Sequence, residues 1–193
     1  MLKIGITGGI GSGKSFVSKI IESFGYPIFY SDAAAKEIIS TNQHAKEHLI
    51  ALFGEKVFKE NVLDRAFLAN IIFNDENALQ KVNKLIHPLV RLSFEEFSLQ
   101  QKSSLVFNEA AILFESGGAS QFDKIILVQA PEKLRIERVM KRDHTTEKEV
   151  LSRIQKQWSD EQKKKGSSFV IHNDEKQPLL IQIEKVLKEI NLG

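Results

Sequence analysis

The chain has 193 residues, is 42% hydrophobic and 27% charged, carries a formal net charge of +2 and contains no cysteine. That length and composition suit a soluble globular protein, one compact domain or a core with small inserts. They exclude disulfides and thiolate metal sites, give no ground for a nucleic-acid partner, and leave no apolar run near the ~18 residues that cross a bilayer. No signal-peptide pattern precedes the first motif. These features are compatible with a cytoplasmic location, which is expected, with no membrane partner and no obligate protein partner; a monomer is expected, although composition does not report oligomeric state.

The chain begins with "LKIGIT" at residues 2–7, a short apolar run suited to a buried strand. "GGIGSGKS" follows, and then Phe16, Val17, Ile20, Ile21 and Phe24 recur at helical spacing up to Gly25, a natural helix stop. Gly8, Gly13, Lys14 and Ser15 fit G-x-x-x-x-G-K-[ST], the P-loop pattern. Its chemistry follows from the residue types. A bare backbone folds into a nest of N–H groups that receives phosphate oxygens, and the helix behind it adds its positive N-terminal end. Candidate contacts to the nucleotide's phosphates are Gly9, Ile10, Gly11, Ser12, Gly13, Lys14, Ser15 and Phe16. Lys14 reaches the outer phosphates, and the Ser15 hydroxyl ligates Mg²⁺.

Further strands are expected at residues 27–30, 104–108, 124–129 and 169–173, each short, apolar and rich in β-branched or aromatic residues. Five such strands separated by helical segments imply a parallel α/β sheet flanked by helices. Residues 31–103 show helical periodicity without a core strand, with "HP" at His87–Pro88 as an interruption. Residues 135–165 form a second, strongly charged helical excursion. The expected fold is the three-layer P-loop NTPase type. Its nucleotide-binding core comprises residues 1–31, 104–134 and 166–193, its helical acceptor domain residues 32–103, and its helical lid residues 135–165. Closure of the two inserts over the core is expected, since a kinase must exclude water.

Phosphoryl transfer needs positive charge and an oriented nucleophile. Asp32, directly after the second strand, is placed either to accept a proton from an attacking hydroxyl or to cap the helix that follows. Glu109, just past the third strand, is either a carboxylate for Mg²⁺ or its water, or a solvated loop acid. Glu115 is a weaker candidate, more naturally a surface or capping acid. Arg135, Arg138 and Arg142 share a helix face through offsets of three and four; their forks suit phosphate oxygens, and a solvated basic face is the alternative. Arg153 and Gln157 share another face. The run Lys163 to Lys165 reads as solvated. His87 has no His/Cys/Glu cluster around it to make it a metal ligand, and reads as a helix-terminal residue with Pro88 starting the next helix.

Taken together, "GITGGIGSGKS", "SDAAAKEI", "LIHPLV", "EAAILFESG", "RVMKRD", "RIQKQ" and "FVIHN" resemble the dephospho-coenzyme A kinase family, in family order over nearly the whole chain. The resemblance implies that ATP phosphorylates the ribose 3′-hydroxyl of dephospho-CoA, the last step of coenzyme A biosynthesis. It implies that Asp32 is the catalytic base, that Lys14 and Arg142 assist catalysis, and that Arg138 and Arg142 contact ATP phosphates. It places Asp32, His87, Glu109 and Leu113 beside the acceptor, and Mg²⁺ on Ser15, with Glu109 acting through water. This chain departs from the family where Tyr30-Ser31-Asp32 stands for the frequent Asp-Ala-Asp, and where Ala111 replaces a frequent proline. Another small-acceptor kinase, for nucleosides or nucleotides, would share the P-loop and inserts. A GTP switch is disfavoured, because N-K-x-D and D-x-x-G motifs are absent.

Overall fold

The apolar run at the start of the chain forms strand β1 (Leu2–Thr7) and takes the central place in a five-stranded sheet. A computed structural model describes residues 1–192. The sheet is completed by β2 (Ile28–Tyr30), β5 (Leu105–Glu109), β6 (Lys124–Gln129) and β7 (Phe169–His172), in the order β2-β5-β1-β6-β7. Every neighbouring pair is parallel. All five strands therefore end at one edge, where ligands bind in open α/β sheets. The expected strands fall within two residues of their places, but β5 extends to Glu109, which the sequence reading put just past the strand.

The chain divides into two units, Met1–Tyr30 with Gln101–Gly193, and Ser31–Gln100. The core of the first unit is apolar on both faces of the sheet. Ile4 and Ile6 of β1, Phe107 of β5 and Ile126 of β6 are completely buried. Helix α1 (Lys14–Ser23) contributes Val17 and Ile21, and the terminal helix α9 (Leu179–Leu192) contributes Ile183 and Leu187. This unit also holds α6 (Glu132–Asp143), α7 (Glu147–Gln155) and α8 (Asp160–Lys165). Thr146 with Glu149, and Ser159 with Gln162, form capping boxes that start α7 and α8. Ile136, Val139 and Val150 make a small core of their own, with Ile10 packed against it.

The second unit contains α2 (Ser31–Thr41), α3 (Gln43–Phe53), α4 (Arg65–Asn74) and α5 (Glu76–Leu99) around Leu49, Leu68, Val82 and Ile86. Asn42, Asp64 and Asp75 cap α3, α4 and α5 by accepting backbone N–H bonds. Two features differ from the sequence reading. A short antiparallel hairpin, β3 (Phe58–Lys59) with β4 (Val62–Leu63), turns through Glu60 and Asn61 at positive φ. That is the geometry of a two-residue hairpin, written without the usual glycine. Helix α5 also runs unbroken through Pro88. The proline costs one backbone bond, but Val82, Ile86 and Phe94 bury one continuous face on both sides of it. His87 is therefore mid-helix, not helix-terminal.

Candidate active site

The N–H nest at the end of β1 is built by glycines that no other residue could replace. Gly13 caps α1 at φ 87° and has no side chain over the helix's first N–H groups. A Cβ there would collide with the Asn173 amide, and one at Gly9 would collide with the Arg135 guanidinium. The carbonyls of Gly9 to Gly13 are all engaged. Gly9 C=O accepts from Ser12 N–H (3.0 Å), and Gly13 C=O accepts from Phe16 and Val17 N–H. Ile10 C=O accepts from Arg135 Nε (2.9 Å), Gly11 C=O from Arg138 Nη1 (3.5 Å), and Ser12 C=O from Asn173 Nδ2 (2.9 Å). A peptide's C=O and N–H point in opposite directions across a planar bond. With the Ile10 and Ser12 carbonyls turned toward these donors, the N–H groups of Gly11 and Gly13 face the other way.

Lys14 and Ser15 open α1 and meet the end of the neighbouring strand. Glu109, nearly buried, is in register with Ile6 of β1. Its Oε1 lies 3.5 Å from Lys14 Nζ, and its Oε2 accepts from the Ser15 hydroxyl at 3.2 Å. The expected alternative, a solvated loop acid, does not describe this residue. One carboxylate and one hydroxyl beside a phosphate nest are hard oxygen donors. They match Mg²⁺, which keeps several waters and takes one or two protein oxygens plus substrate phosphates. Tyr30, beside Glu109 in the β2–β5 register, donates to Glu22 (3.2 Å). Its pKa is pushed up to about 12, first by burial and then by the Glu22 carboxylate, so it stays a neutral phenol.

The three arginines of α6 share a face but not a role. Their side chains are 8%, 26% and 64% exposed at Arg135, Arg138 and Arg142. Arg135 and Arg138 hold the loop, and Arg138 also pairs with Glu175 (2.9 Å). Arg142 stands at the far end, in a two-pronged pair with Asp143 (2.7 and 3.0 Å) that Arg153 also joins. Phe16 is exposed, and Leu113 is buried with its methyl close against Gly5 of β1. Asp32 and His87 belong to the other unit. Asp32 is exposed in the first turn of α2, one residue inside a helix that starts at Ser31, so it is not the cap. His87 is half-buried, and burial, with Arg91 nearby, holds its pKa below the usual imidazole value.

Lys163, read as solvated, and Glu115, read as a surface or capping acid, are little-exposed partners of one another. Lys163 is fully buried and sits 3.0 Å from Glu115, whose Oε1 also accepts the Trp158 N–H (2.9 Å). Asp160 faces Arg135 at 3.6 Å, and burial raises its pKa against the pull of Arg135 and Lys163. Stacking of Phe114 on Trp158, with ring centroids 6.1 Å apart, closes the same contact. Together these ties fasten residues 158–163 to the segment after β5 and to α6. Removing one buried charge leaves the other uncompensated, at a cost of about 3–5 kcal/mol, whereas removing both is far cheaper. Urea denaturation should therefore show Lys163→Met strongly destabilised and Lys163→Met/Glu115→Gln recovering most of the loss. Additive losses would contradict the pairing.

Comparison with known proteins gives a consistent result. The sequence model of the dephospho-CoA kinase family matches residues 2–178. A dephospho-CoA kinase of Bacteroides fragilis is 41% identical over 96% of this chain and 91% of its own length. A solved structure from Thermus thermophilus superposes with a TM-score of 0.85 at 36% identity, covering 99% of this chain and 96% of that one. The dephospho-CoA kinase of Campylobacter jejuni gives a TM-score of 0.72 at 28% identity, covering 99% and 98%.

Proposed function

The chain belongs to the dephospho-CoA kinase family, and from that premise we propose how its residues divide the work of the final step of coenzyme A biosynthesis. It is a transferase with the P-loop kinase fold, and a nucleotide supplies the phosphoryl group. In our reading the nucleotide is ATP and the acceptor atom is the ribose 3′-hydroxyl of dephospho-CoA. The observation that carries the reading is the meeting of Lys14, Ser15 and Glu109 at the open end of the N–H nest.

The N–H groups of Gly11 and Gly13 and the first turn of α1 receive the outer phosphates. Lys14 exchanges a 3.5 Å contact with Glu109 for a phosphate oxygen. Ser15 would hold Mg²⁺, with Glu109 acting through water, and when bound the metal would neutralise charge on the transferring phosphates. Arg142, whose exposed pair with Asp143 is worth little and is readily exchanged, stabilises the charge of the transferring group. Asp32, two residues beyond the carboxyl end of β2, takes the proton from the attacking hydroxyl. His87 is neutral at physiological pH, so it suits an uncharged polar part of the acceptor. Leu113 serves by holding the segment after β5 against β1.

Asp32→Asn should retain ATP binding and lose about 10²–10⁴ in kcat with dephospho-CoA as acceptor, the usual worth of a general base. Turnover within a few fold of wild type would remove Asp32 from the role. Glu109→Gln should raise the Mg²⁺ concentration for half-maximal activity by about 10–100-fold, as losses near a metal do. An unchanged Mg²⁺ requirement would place the metal elsewhere.

A further inference from the structure

We propose that Gln157 and Arg135 are positioning residues for phosphoryl transfer: they grip the two ends of Ile10 and lock the phosphate loop in its anion-receiving conformation before the nucleotide arrives. The inference rests on reading residues 8–15 as the phosphate loop. Ile10 N–H donates to Gln157 Oε1 at 2.8 Å, and Ile10 C=O accepts from Arg135 Nε at 2.9 Å. These are two different peptide planes. The first bond fixes the Gly9–Ile10 plane, and the second fixes the Ile10–Gly11 plane, whose N–H faces the nest. Glycine on both sides of Ile10 makes either plane cheap to flip; a flip of the Ile10–Gly11 plane would exchange its N–H for a carbonyl facing the phosphates, and a flip of the Gly9–Ile10 plane would break the Ser12 N–H bond to Gly9 C=O that shapes the turn.

Each grip is anchored, Arg135 through its side chain and Gln157 through its backbone. Arg135 is buried, with its guanidinium against Gly9 and Asp160 at 3.6 Å. Gln157 sits in the turn between α7 and α8, its own N–H bonded to Ile154 C=O (3.0 Å). The next N–H along, at Trp158, is held by Glu115. The grip spans 125 and 147 residues of sequence, so it ties the loop to α6 and to the turn between α7 and α8. Both bonds engage backbone that is already folded, so the effect is preorganisation, which acts on affinity by cutting the cost of ordering the site.

Because the lock acts on phosphate reception, its loss is read in the donor and not in the acceptor. Gln157→Met keeps the length and removes the acceptor. It should weaken Mg-ATP binding in calorimetry about tenfold, the worth of one hydrogen bond. It should raise the inhibition constant of inorganic tripolyphosphate by the same factor and leave the KM for dephospho-CoA within twofold. Arg135→Lys keeps the charge facing Asp160 but removes the Nε donor, and should show the same split; it serves as the second test if Gln157→Met folds poorly. Mg-ATP and tripolyphosphate affinities within twofold of wild type in the folded variants would overturn the proposal. Lys14→Met distinguishes the two levels. If it abolishes ATP binding while Gln157→Met does nothing, only the lock is wrong. If Lys14→Met binds ATP as wild type does, the phosphate-loop reading itself fails.

Discussion

Between Gly9 and Gly13 the backbone must turn its carbonyl oxygens away from the space that the Gly11 and Gly13 N–H groups face, and five successive carbonyls each find a donor. A carbonyl turned inward would repel the phosphate that the loop exists to hold. Two of those bonds are local, and the donors of the other three come from distant places: Arg135 and Arg138 from α6, and Asn173, the residue after β7. The parallel sheet matters because it brings the ends of β1, β5, β6 and β7 to one edge, where these side chains reach the same eight residues. Glu109 belongs to this arrangement. It sits at the end of β5 because that strand pairs in register with β1.

The second constraint is the buried charge that supports the loop from behind. Arg135, Asp160, Lys163 and Glu115 are little exposed, and each faces an opposite charge. Such pairs contribute little net stability over an apolar replacement, but they strongly penalise any arrangement that separates them. They define where residues 158–163 must sit. Position, more than stability, is what a phosphate site requires of its surroundings, since small displacements are costly in reactions that depend on alignment.

The parts of this site legible in the sequence were the local ones. The glycine spacing, Lys14 and Ser15 are a contiguous motif between a strand and a helix, and their chemistry follows from that contiguity. The supporting residues were not legible, because each acts on a partner far away in the chain. Offsets of three and four put Arg135, Arg138 and Arg142 on one face, yet spacing cannot say that the first is buried against Gly9 and the last stands in solvent. The lysine run at 163–165 looks solvated as composition. Only burial against Glu115 picks out Lys163. Pro88 failed as a boundary signal for a related reason: local preference lost to a continuous apolar face. The hairpin at 58–63 carries no glycine at its turn to announce it.

The most direct test of the account is ADP release from Mg-ATP with single acceptors: dephospho-CoA, AMP, CMP, adenosine and none. The account predicts rapid release with dephospho-CoA alone, with the new phosphate on the ribose 3′-oxygen. Turnover with AMP or CMP in its place, or equal release with no acceptor, would contradict it.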